Sequence, residues 1–502
     1  MESSAASMSS SITSFTPVLA ALVSLVAVLP IALLGRKPNL REGATFLAGI
    51  IKFGLVLSML PTILAGSTIE YTLWRILPNI EIAFRVDGLG MLFGIVASSL
   101  WIVTSLYSIG YMRGLKEHSQ TRFYSFFAVS LSATIGVAFA ANLFTLYLFY
   151  EMLSLATYPL VTHHQDKEAR TGGRTYLTYL LSTSIGFVLP ALIFVYVKTG
   201  SSLEFASDGF LSGYIGPSEG LILVLLFTFG FAKAGLMPFH SWLPGAMVAP
   251  TPVSALLHAV AVVKVGVFCI LRVYSGVFGI EFLKELDVAS ILTWIAAITI
   301  VTSSLIALTQ DNLKRRLAFS TIGQLSYIIL GMALLAPQGA TGSMMHIAMH
   351  AFGKITLFFC AGAIFEATGK KYISQMVGIG KRMPITMAAF FIGSLSVVGI
   401  PLAGGFWSKF SLLQGTAEEG HYWMLVTLLI SSLLNAAYFF PIVFKAFFCK
   451  PGESQYEDKV EEAHPAAVIA LSVTAIATVV FFFIPEPFYS LAESAAAQFF
   501  AF

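Results

Sequence analysis

The chain has 502 residues, of which 57% are hydrophobic and 11% are charged, with a net charge of +3. A soluble domain carries about 25% charged residues, so a mean hydropathy of +0.83 leaves too little polar surface to cover this chain in water. Soluble fold classes are therefore excluded, and we expect an all-α polytopic protein of the cell (inner) membrane that is embedded in a lipid bilayer and has no nucleic-acid partner.

The apolar runs along the chain predict about fourteen transmembrane helices. The Ser-rich start, residues 1–14, lacks a basic segment, so the first run is predicted to be a span rather than a cleaved signal peptide. Runs of about 20 residues without two-residue alternation favour helices over barrel strands. The predicted spans lie near residues 16–34, 44–66, 88–110, 123–141, 143–161, 175–197, 220–240, 252–274, 288–309, 316–336, 342–365, 385–413, 423–447 and 464–484.

The loop cations predict the orientation of these spans. Loops after odd-numbered spans hold eighteen Lys and Arg residues, and loops after even-numbered spans hold five. Because Lys and Arg accumulate in cytoplasmic loops, we expect both termini on the non-cytoplasmic side.

Five charged residues fall in the middle of predicted spans, where each costs about 2.5 to 3.5 kcal/mol on insertion scales. They are Glu151, Lys233, Lys264, Lys354 and Lys409. Such residues usually mark ion or proton pathways. In contrast, Lys52, Lys198 and Lys445 lie closer to span ends, and we expect their ammonium groups to reach the interface.

Two histidines extend this set. His346, His350 and Lys354 are spaced i, i+4 and i+8, so they share one face of the eleventh span over a rise of about 12 Å. A single His on an apolar helix is more often a packed core residue, but three titratable groups in register favour proton transfer. Metal binding by the two histidines is the alternative. No Glu follows the first His and no Cys or Asp is near, so no metal is predicted.

No cofactor and no catalytic residue are predicted. The three cysteines, Cys269, Cys360 and Cys449, lie far apart without a CxxC spacing, so we expect small core residues rather than a disulfide or an iron–sulfur cluster. A phosphate-binding loop motif is also missing from the sequence.

Two predicted spans are interrupted. Pro238 follows Lys233 by five residues in the seventh span, and Pro401 with Gly404 and Gly405 precedes Lys409 in the twelfth. Proline removes a helix hydrogen bond, and two interrupted spans in corresponding positions are typical of transporters with inverted repeats.

The predicted organisation follows from these breaks, because a repeat with an odd number of spans inverts its second copy. Its parts are residues 1–122 with spans 1–3, residues 123–275 with spans 4–8 as the first repeat, residues 288–447 with spans 9–13 as the second, and residues 464–502 with span 14 and a tail.

Five segments carry a resemblance to a known family. They are PFHSWLPGAMVAPTPVSALLHAVAVVKVGVF (238–268), FYEMLSLATYPLV (149–161), DNLKRRLAFSTIGQLSYIILG (311–331), MHAFGKITLFFCAGAI (349–364) and GIPLAGGFWSKF (399–410). Together they resemble the proton-translocating antiporter-like family, which comprises the antiporter-like subunits of respiratory complex I, the matching subunits of membrane-bound hydrogenases, and the A-type and D-type subunits of Mrp-type cation/proton antiporters.

The resemblance implies roles for individual residues. Glu151 would be the carboxylate of the fifth span and Lys233 its lysine partner. Lys264 would be the connecting lysine of the eighth span with His258 beside it, and Lys409 would be the exit residue. Gly245 stands where complex I members carry Asp, and no lateral helix follows the fourteenth span, so we expect a member similar to the D-type Mrp proteins.

The function implied is proton translocation along these buried groups, in a complex with other integral membrane subunits. The drive has to come from outside this chain, and quinone reduction, hydrogen evolution and an opposing Na⁺ gradient are all open. Na⁺ is an alternative coupled ion. Two alternatives stay open: a structural subunit with a vestigial channel, and a stand-alone solute transporter.

Overall fold

The computed structural model describes residues 11–200, 203–450 and 461–500, apart from the side chains of residues 257 and 258. Its helices are α1 Thr16–Leu33, α2 Pro38–Leu64, α3 Gly88–Gly114, α4 Gln120–Ala138, α5 Leu143–Val161, α6 Lys167–Thr183, α7 Leu189–Lys198, α8 Pro217–Gly230, α9 Trp242–Gly245, α10 Thr251–Ala255, α11 Val262–Val273, α12 Ile280–Glu285, α13 Ala289–Thr309, α14 Leu313–Ala333, α15 Pro337–Thr368, α16 Pro384–Val398, α17 Gly405–Glu418, α18 Tyr422–Phe448, α19 Pro465–Phe483 and α20 Glu486–Phe499. The mainly helical fold class is confirmed.

The helix boundaries agree with most predicted spans to within a few residues, and α5 coincides with the fifth. A π-helical turn, Ser184–Val188, joins α6 to α7, and another, Leu256–Val260, follows α10. By length and composition, eight helices of the described chain can cross a membrane: α1, α2, α3, α6 with α7, α13, α15, α18 and α19. The count of fourteen spans and the two inverted repeats therefore stay predictions.

A small β-sheet was not foreseen from the sequence. Its strands are β1 Ser11–Thr13, β2 Thr68–Leu77 and β3 Ile80–Val86, with β1 parallel and β3 antiparallel to β2. The sheet joins the segment before α1 to the connection between α2 and α3. It was missed because β1 pairs with a strand that is distant in the chain, with Ser11 opposite Thr68.

The tail after α19 is helical as well. The amphipathic helix α20 packs against the start of α3, where a Cβ added to Gly88 would lie 3.2 Å from Ala495 Cβ. Both ends of the described chain therefore lie near the start of α3, on one side of the helix bundle. Which side of the membrane this is stays a prediction.

The helix α15 forms the centre of the bundle. Its most apolar 18-residue window is completely buried, whereas only 39% and 33% of the corresponding windows in α1 and α2 are buried. Tyr107 of α3 stacks on Phe359 of α15 with ring centroids 4.0 Å apart and donates a hydrogen bond to the Phe359 carbonyl over 3.0 Å. The lysine and histidines of α15 are therefore shielded from lipid on all sides.

A buried ion pair fixes α11 against α3. Asp87 caps α3 by accepting a hydrogen bond from the Gly90 amide over 2.8 Å, and Arg272 of α11 donates to both carboxylate oxygens of Asp87. Arg272 thus lies inside a helix rather than in a loop. Since breaking a buried pair costs about 3 to 5 kcal/mol, this contact holds α11 in place.

The expectation for Lys52 was wrong, because this lysine is completely buried and does not reach an interface. Its Nζ donates to Ser24 Oγ over 2.7 Å and to the Leu131 carbonyl over 3.1 Å. Lys198 and Lys445 are exposed as expected. None of the three cysteines is in a disulfide; Cys269 and Cys360 are buried and Cys449 is partly exposed.

Candidate functional site

The first helix break surrounds Lys233. The helix α8 ends at Gly230, and Lys233 lies in the 3₁₀ turn Ala232–Ala234, which Gly235 terminates with a φ of 71°. From the sequence, Lys233 was expected in the middle of a helix that Pro238 interrupts. The break instead begins before Lys233, so the lysine is presented by a turn at the end of a helix.

Lys233 is fully buried and is held by α5. Its Nζ donates to the Tyr150 carbonyl over 2.8 Å and to Ser154 Oγ over 2.7 Å. The same atom lies 3.0 Å from the centroid of the Tyr150 ring, a cation–π contact. A carbonyl, a hydroxyl and a ring thus surround the ammonium group.

The expected carboxylate partner of Lys233, Glu151, follows Tyr150 directly in α5. Within the described residues no ion pair joins the two at 4.0 Å or less, and Glu151 Oε1 is a buried oxygen for which these residues provide no hydrogen-bond partner. Sequence reasoning missed Ser154 and Tyr150. The spacing of Tyr150 and Ser154, i and i+4 around Glu151, was the signal that could have identified them.

Gly266 allows α11 to approach the turn that holds Lys233. A Cβ added at this position would lie 2.1 Å from the Ala234 nitrogen and 2.3 Å from the Lys233 carbonyl carbon. The close approach places Lys264, two residues earlier in α11, beside the broken helix. No hydrogen bond in the described chain joins Lys233 to Lys264, and the side chain of His258 lies outside the described residues.

Lys264 is the first member of a line of buried polar groups. Its Nζ lies 2.6 Å from His350 Nδ1. The His350 ring stacks on His346 with centroids 5.6 Å apart and an angle of 16° between the planes. His346 then contacts Ser408 of α17 through Nδ1 at 2.8 Å and Gln324 of α14 through Nε2 at 3.1 Å. Helices α11, α15, α17 and α14 thus contribute to one chain of contacts.

Lys409 follows Ser408 directly and occupies the second helix break. Its Nζ lies 4.5 Å from the centroid of the Tyr327 ring, which is itself 5.8 Å from the His346 ring. The ammonium group donates to the Val398 carbonyl over 3.2 Å and to Ser432 Oγ over 3.4 Å. Val398 is the last residue of α16, so this carbonyl is one that the helix leaves unpaired.

Glycines make this second break possible. Gly399 has a φ of 89°, and an added Cβ would lie 2.6 Å from Lys409 Cδ. Pro401 and Gly404 lie in the link between the helices, Gly404 donates to the Thr478 carbonyl over 2.8 Å, and Gly405 begins α17. The break predicted at this position is therefore present.

Lys354 does not lie on the line from Lys264 to Lys409. Its Nζ donates to Ser320 Oγ over 2.7 Å, and Ser320 in turn accepts a hydrogen bond from Tyr438 over 3.0 Å. Lys354 lies one helical turn after His350, whereas His346 lies one turn before it. Lys354 therefore contacts α14 and α18 at a different level of the bundle. The structure thus places Lys354 on a branch of its own, and its part in proton transfer stays a prediction.

A cavity of about 630 Å³ opens beside the loops predicted to be cytoplasmic. Its polar lining includes Asp166, His240, Lys314, Lys370 and Lys371. Its volume is large enough for several water molecules, and it opens between the loop after α5 and the start of α14.

Taken together, the geometry brings six basic side chains into the interior. All of them, Lys233, Lys264, His346, His350, Lys354 and Lys409, are at most 5% exposed. Each contacts a hydroxyl, a carbonyl or another basic group rather than a carboxylate. Such groups accept and release protons without forming fixed ion pairs, which suits a relay.

Two family models match the chain. The model described as NADH:quinone oxidoreductase/Mrp antiporter, TM matches residues 140–435, which include every predicted site residue. The model described as NADH-Ubiquinone oxidoreductase (complex I), chain 5 N-terminus matches residues 77–124.

Curated relatives come from more than one kind of complex. The chain is 32% identical to NADH-quinone oxidoreductase subunit N of Desulforudis audaxviator over 77% of each chain. It is 30% identical to putative antiporter subunit mnhA2 of Staphylococcus saprophyticus over 88% of this chain and 58% of the relative. The chain thus spans little more than half the length of the longer relatives.

Two solved structures share the fold. A chain in the structure of the Mrp complex from Dietzia sp. matches with a TM-score of 0.84 and 20% identity, covering 96% of this chain and 98% of that one. A chain of the membrane-bound sulfane sulfur reductase, an archaeal respiratory membrane complex, matches with a TM-score of 0.84 and 24% identity, covering 97% and 98%. At these identities the likeness shows the fold alone.

Proposed function

Since this chain belongs to the NADH:quinone oxidoreductase/Mrp antiporter transmembrane family, we propose that it is a proton-translocating membrane subunit of a larger complex. One observation carries the proposal: the line of contacts from Lys264 through His350 and His346 to Ser408 and Lys409. A structural bundle can use uncharged polar side chains at far lower cost. The buried basic groups therefore have a transport role.

Lys233 is the loading site in this proposal. Its ammonium form is stabilised by the Tyr150 carbonyl, the Tyr150 ring and Ser154. Glu151 controls the protonation of Lys233 in this proposal. Its buried oxygen has no hydrogen-bond partner among the described residues, which is energetically unfavourable and favours movement of the side chain towards a cation. When the Glu151 carboxylate rotates towards Lys233, it stabilises the protonated lysine. When it rotates away again, the proton on Lys233 is released to Lys264.

The remaining transfers follow the observed contacts. A proton on Lys264 passes to His350 at 2.6 Å, and one on His346 passes to Ser408 at 2.8 Å. The stacked rings of His350 and His346 share no hydrogen bond within the described residues, so bridging water or a ring rotation carries the proton between them and onward from Ser408 to Lys409. The transfer from Lys233 to Lys264 needs a movement as well, since no hydrogen bond joins the two lysines within the described residues. That step is where a conformational change in neighbouring subunits can control the flux.

The partners we propose are other integral membrane subunits, and the drive comes from them. Relatives occur in NADH-quinone oxidoreductases, in Mrp-type antiporters and in an archaeal respiratory complex, according to their names. Protons are the transported ion, Na⁺ is the counter-ion if the complex is an antiporter, and the cell membrane is the location.

Proton uptake by proteoliposomes that contain the whole complex tests this function. We expect Lys264→Ala and His350→Ala to lose most coupled uptake while the complex still assembles. Lys198→Ala, which changes an exposed lysine paired with Glu219 at 2.7 Å, is the control and should retain full uptake. Full uptake in both interior variants would instead support a structural subunit, and uptake of a solute without protons would support a stand-alone transporter.

A further inference from the structure

A second group of titratable residues lies outside the proton line, where the α3–α4 loop meets the α5–α6 loop. We call Glu117, His118, His163 and His164 the histidine cluster. Glu117 Oε2 lies 3.7 Å from His163 Nε2 and 3.8 Å from His118 Nδ1, while Glu117 Oε1 lies 3.2 Å from His164 Nε2. One carboxylate thus faces three imidazoles.

His163 is the member that hydrogen bonding leaves unexplained. Its side chain is fully buried, and neither ring nitrogen has a hydrogen-bond partner in the described part of the chain. A buried polar group without a partner is costly. Arg122 holds the backbone of His163 by donating to its carbonyl over 2.8 Å. The ring therefore stays beside Glu117 although its nitrogens are desolvated and unpaired within the described residues, and a ligand bound to them would remove this free-energy cost.

The donor atoms already lie close together. The ligand atoms of Glu117, His118 and His163 are all within 4.8 Å of one another. Around a tetrahedral Zn²⁺ with bonds of about 2.0 to 2.2 Å, neighbouring donors are separated by roughly 3.3 Å. Since two of the present separations are 3.7 and 3.8 Å, small side-chain rotations are enough to close the site.

From this geometry we infer a binding site for a zinc-like divalent transition metal, with Glu117, His118 and His163 as ligands and His164 beside them. Imidazole nitrogens and one carboxylate are the ligands that Zn²⁺ takes in two-histidine, one-glutamate sites, whereas Mg²⁺ and Ca²⁺ prefer oxygen. The sequence analysis predicted no metal, because it considered only the histidines of the eleventh span.

The site joins two loops that are 45 residues apart in the chain, counting from His118 to His163. A bound ion would fix the end of α3 to the end of α5, the helix that contacts Lys233. His164 also lines the cavity beside these loops. The metal would therefore stabilise the surface around the cavity without touching the proton line.

Isothermal titration calorimetry tests the inference on the complex purified in mild detergent and dialysed against a chelator. We expect one Zn²⁺ per chain and no heat from Mg²⁺ at the same concentration. Glu117→Gln and His118→Ala should each weaken Zn²⁺ binding at least about 10-fold, since each removes one ligand. His421→Ala, which removes a histidine outside the cluster, should leave the affinity unchanged.

Two results would overturn the site. One is the same Zn²⁺ affinity in wild type, Glu117→Gln and His118→Ala. The other is a Co²⁺-loaded protein whose visible spectrum shows thiolate bands rather than those of nitrogen and oxygen ligands, which would place the ion on a cysteine. Because His118 is 53% exposed, its substitution tests the site without disturbing the fold, and size-exclusion chromatography checks assembly.

Discussion

Lys233 illustrates at the scale of one residue what a sequence can predict and what it cannot. A lysine within an apolar run indicates function, because the bilayer makes it costly. Its partners depend on where α8 ends, and the sequence does not fix that end at Gly230. The burial of Lys233 was therefore predictable and is confirmed, whereas its contacts with Tyr150 and Ser154 were not, and the role of Glu151 as its carboxylate partner stays a prediction.

Ser154→Ala is expected to reduce proton uptake about 10-fold. The substitution removes a hydrogen bond of 2.7 Å to a charged group, and such bonds contribute about 1.5 to 3 kcal/mol. Ser154→Thr keeps the hydroxyl and should retain most uptake. Ser182→Ala, at an exposed serine of α6, is the matched control; equal uptake in Ser154→Ala and Ser182→Ala would show that Ser154 does not hold the loaded lysine.

His346→Leu should lose roughly 100-fold or more of the uptake, in the range of a lost acid–base group, whereas Lys354→Met should retain a substantial part. The reason is that His346 joins His350 to Ser408, while Lys354 contacts Ser320 on a side branch. Measurements of uptake in proteoliposomes distinguish the two. A greater loss of uptake in Lys354→Met than in His346→Leu would contradict this account. It would indicate that protons pass along the α15 face through Lys354.

At the scale of secondary-structure elements, the apolar periodicity and the motifs predicted the helices and both breaks, but not their geometry. Gly404 and Gly405 with Pro401 correctly marked the second break. The first break lies earlier in the chain than predicted. The end of a helix also depends on tertiary contacts of the following turn, and here the turn that holds Lys233 packs against Gly266. The β-sheet was missed for a related reason, since β1 comes from a distant part of the chain.

Gly266→Ala is expected to destabilise the protein by about 1 to 3 kcal/mol, the usual cost of overpacking. The new methyl group would lie 2.1 Å from the Ala234 backbone nitrogen, which cannot move without shifting Lys233. Gly54→Ala in α2 is the control, because its added Cβ meets no atom within 4 Å. Thermal unfolding in detergent compares them, and an unchanged melting temperature in Gly266→Ala would show that α11 does not depend on this contact.

For the whole molecule, composition alone predicted the membrane environment, whereas the topology that the charge bias predicts stays a prediction. The sheet and α20 place both ends of the described chain near the start of α3. Neither feature fixes the side of the membrane, since that depends on loop cations during insertion.

Thiol labelling in intact cells checks this orientation. In a Cys449→Ser background, a cysteine at Ser119 should resist an impermeant reagent, and one at Ser212 should react, because their loops are predicted on opposite sides. Both serines are exposed, so accessibility within the protein does not differ. Labelling at Ser119 with protection at Ser212 would reverse the topology.

The claim that one serial path joins Lys233 to Lys409 is tested most directly by proton uptake in proteoliposomes of the complex carrying Lys233→Ala, Lys409→Ala or both. Groups that act in one unit are non-additive, so we expect the two single variants and the double variant to be about equally inactive. Lys198→Ala should transport normally. Substantial uptake in Lys409→Ala, with further loss in the double variant, would contradict a single path and indicate two independent half-channels.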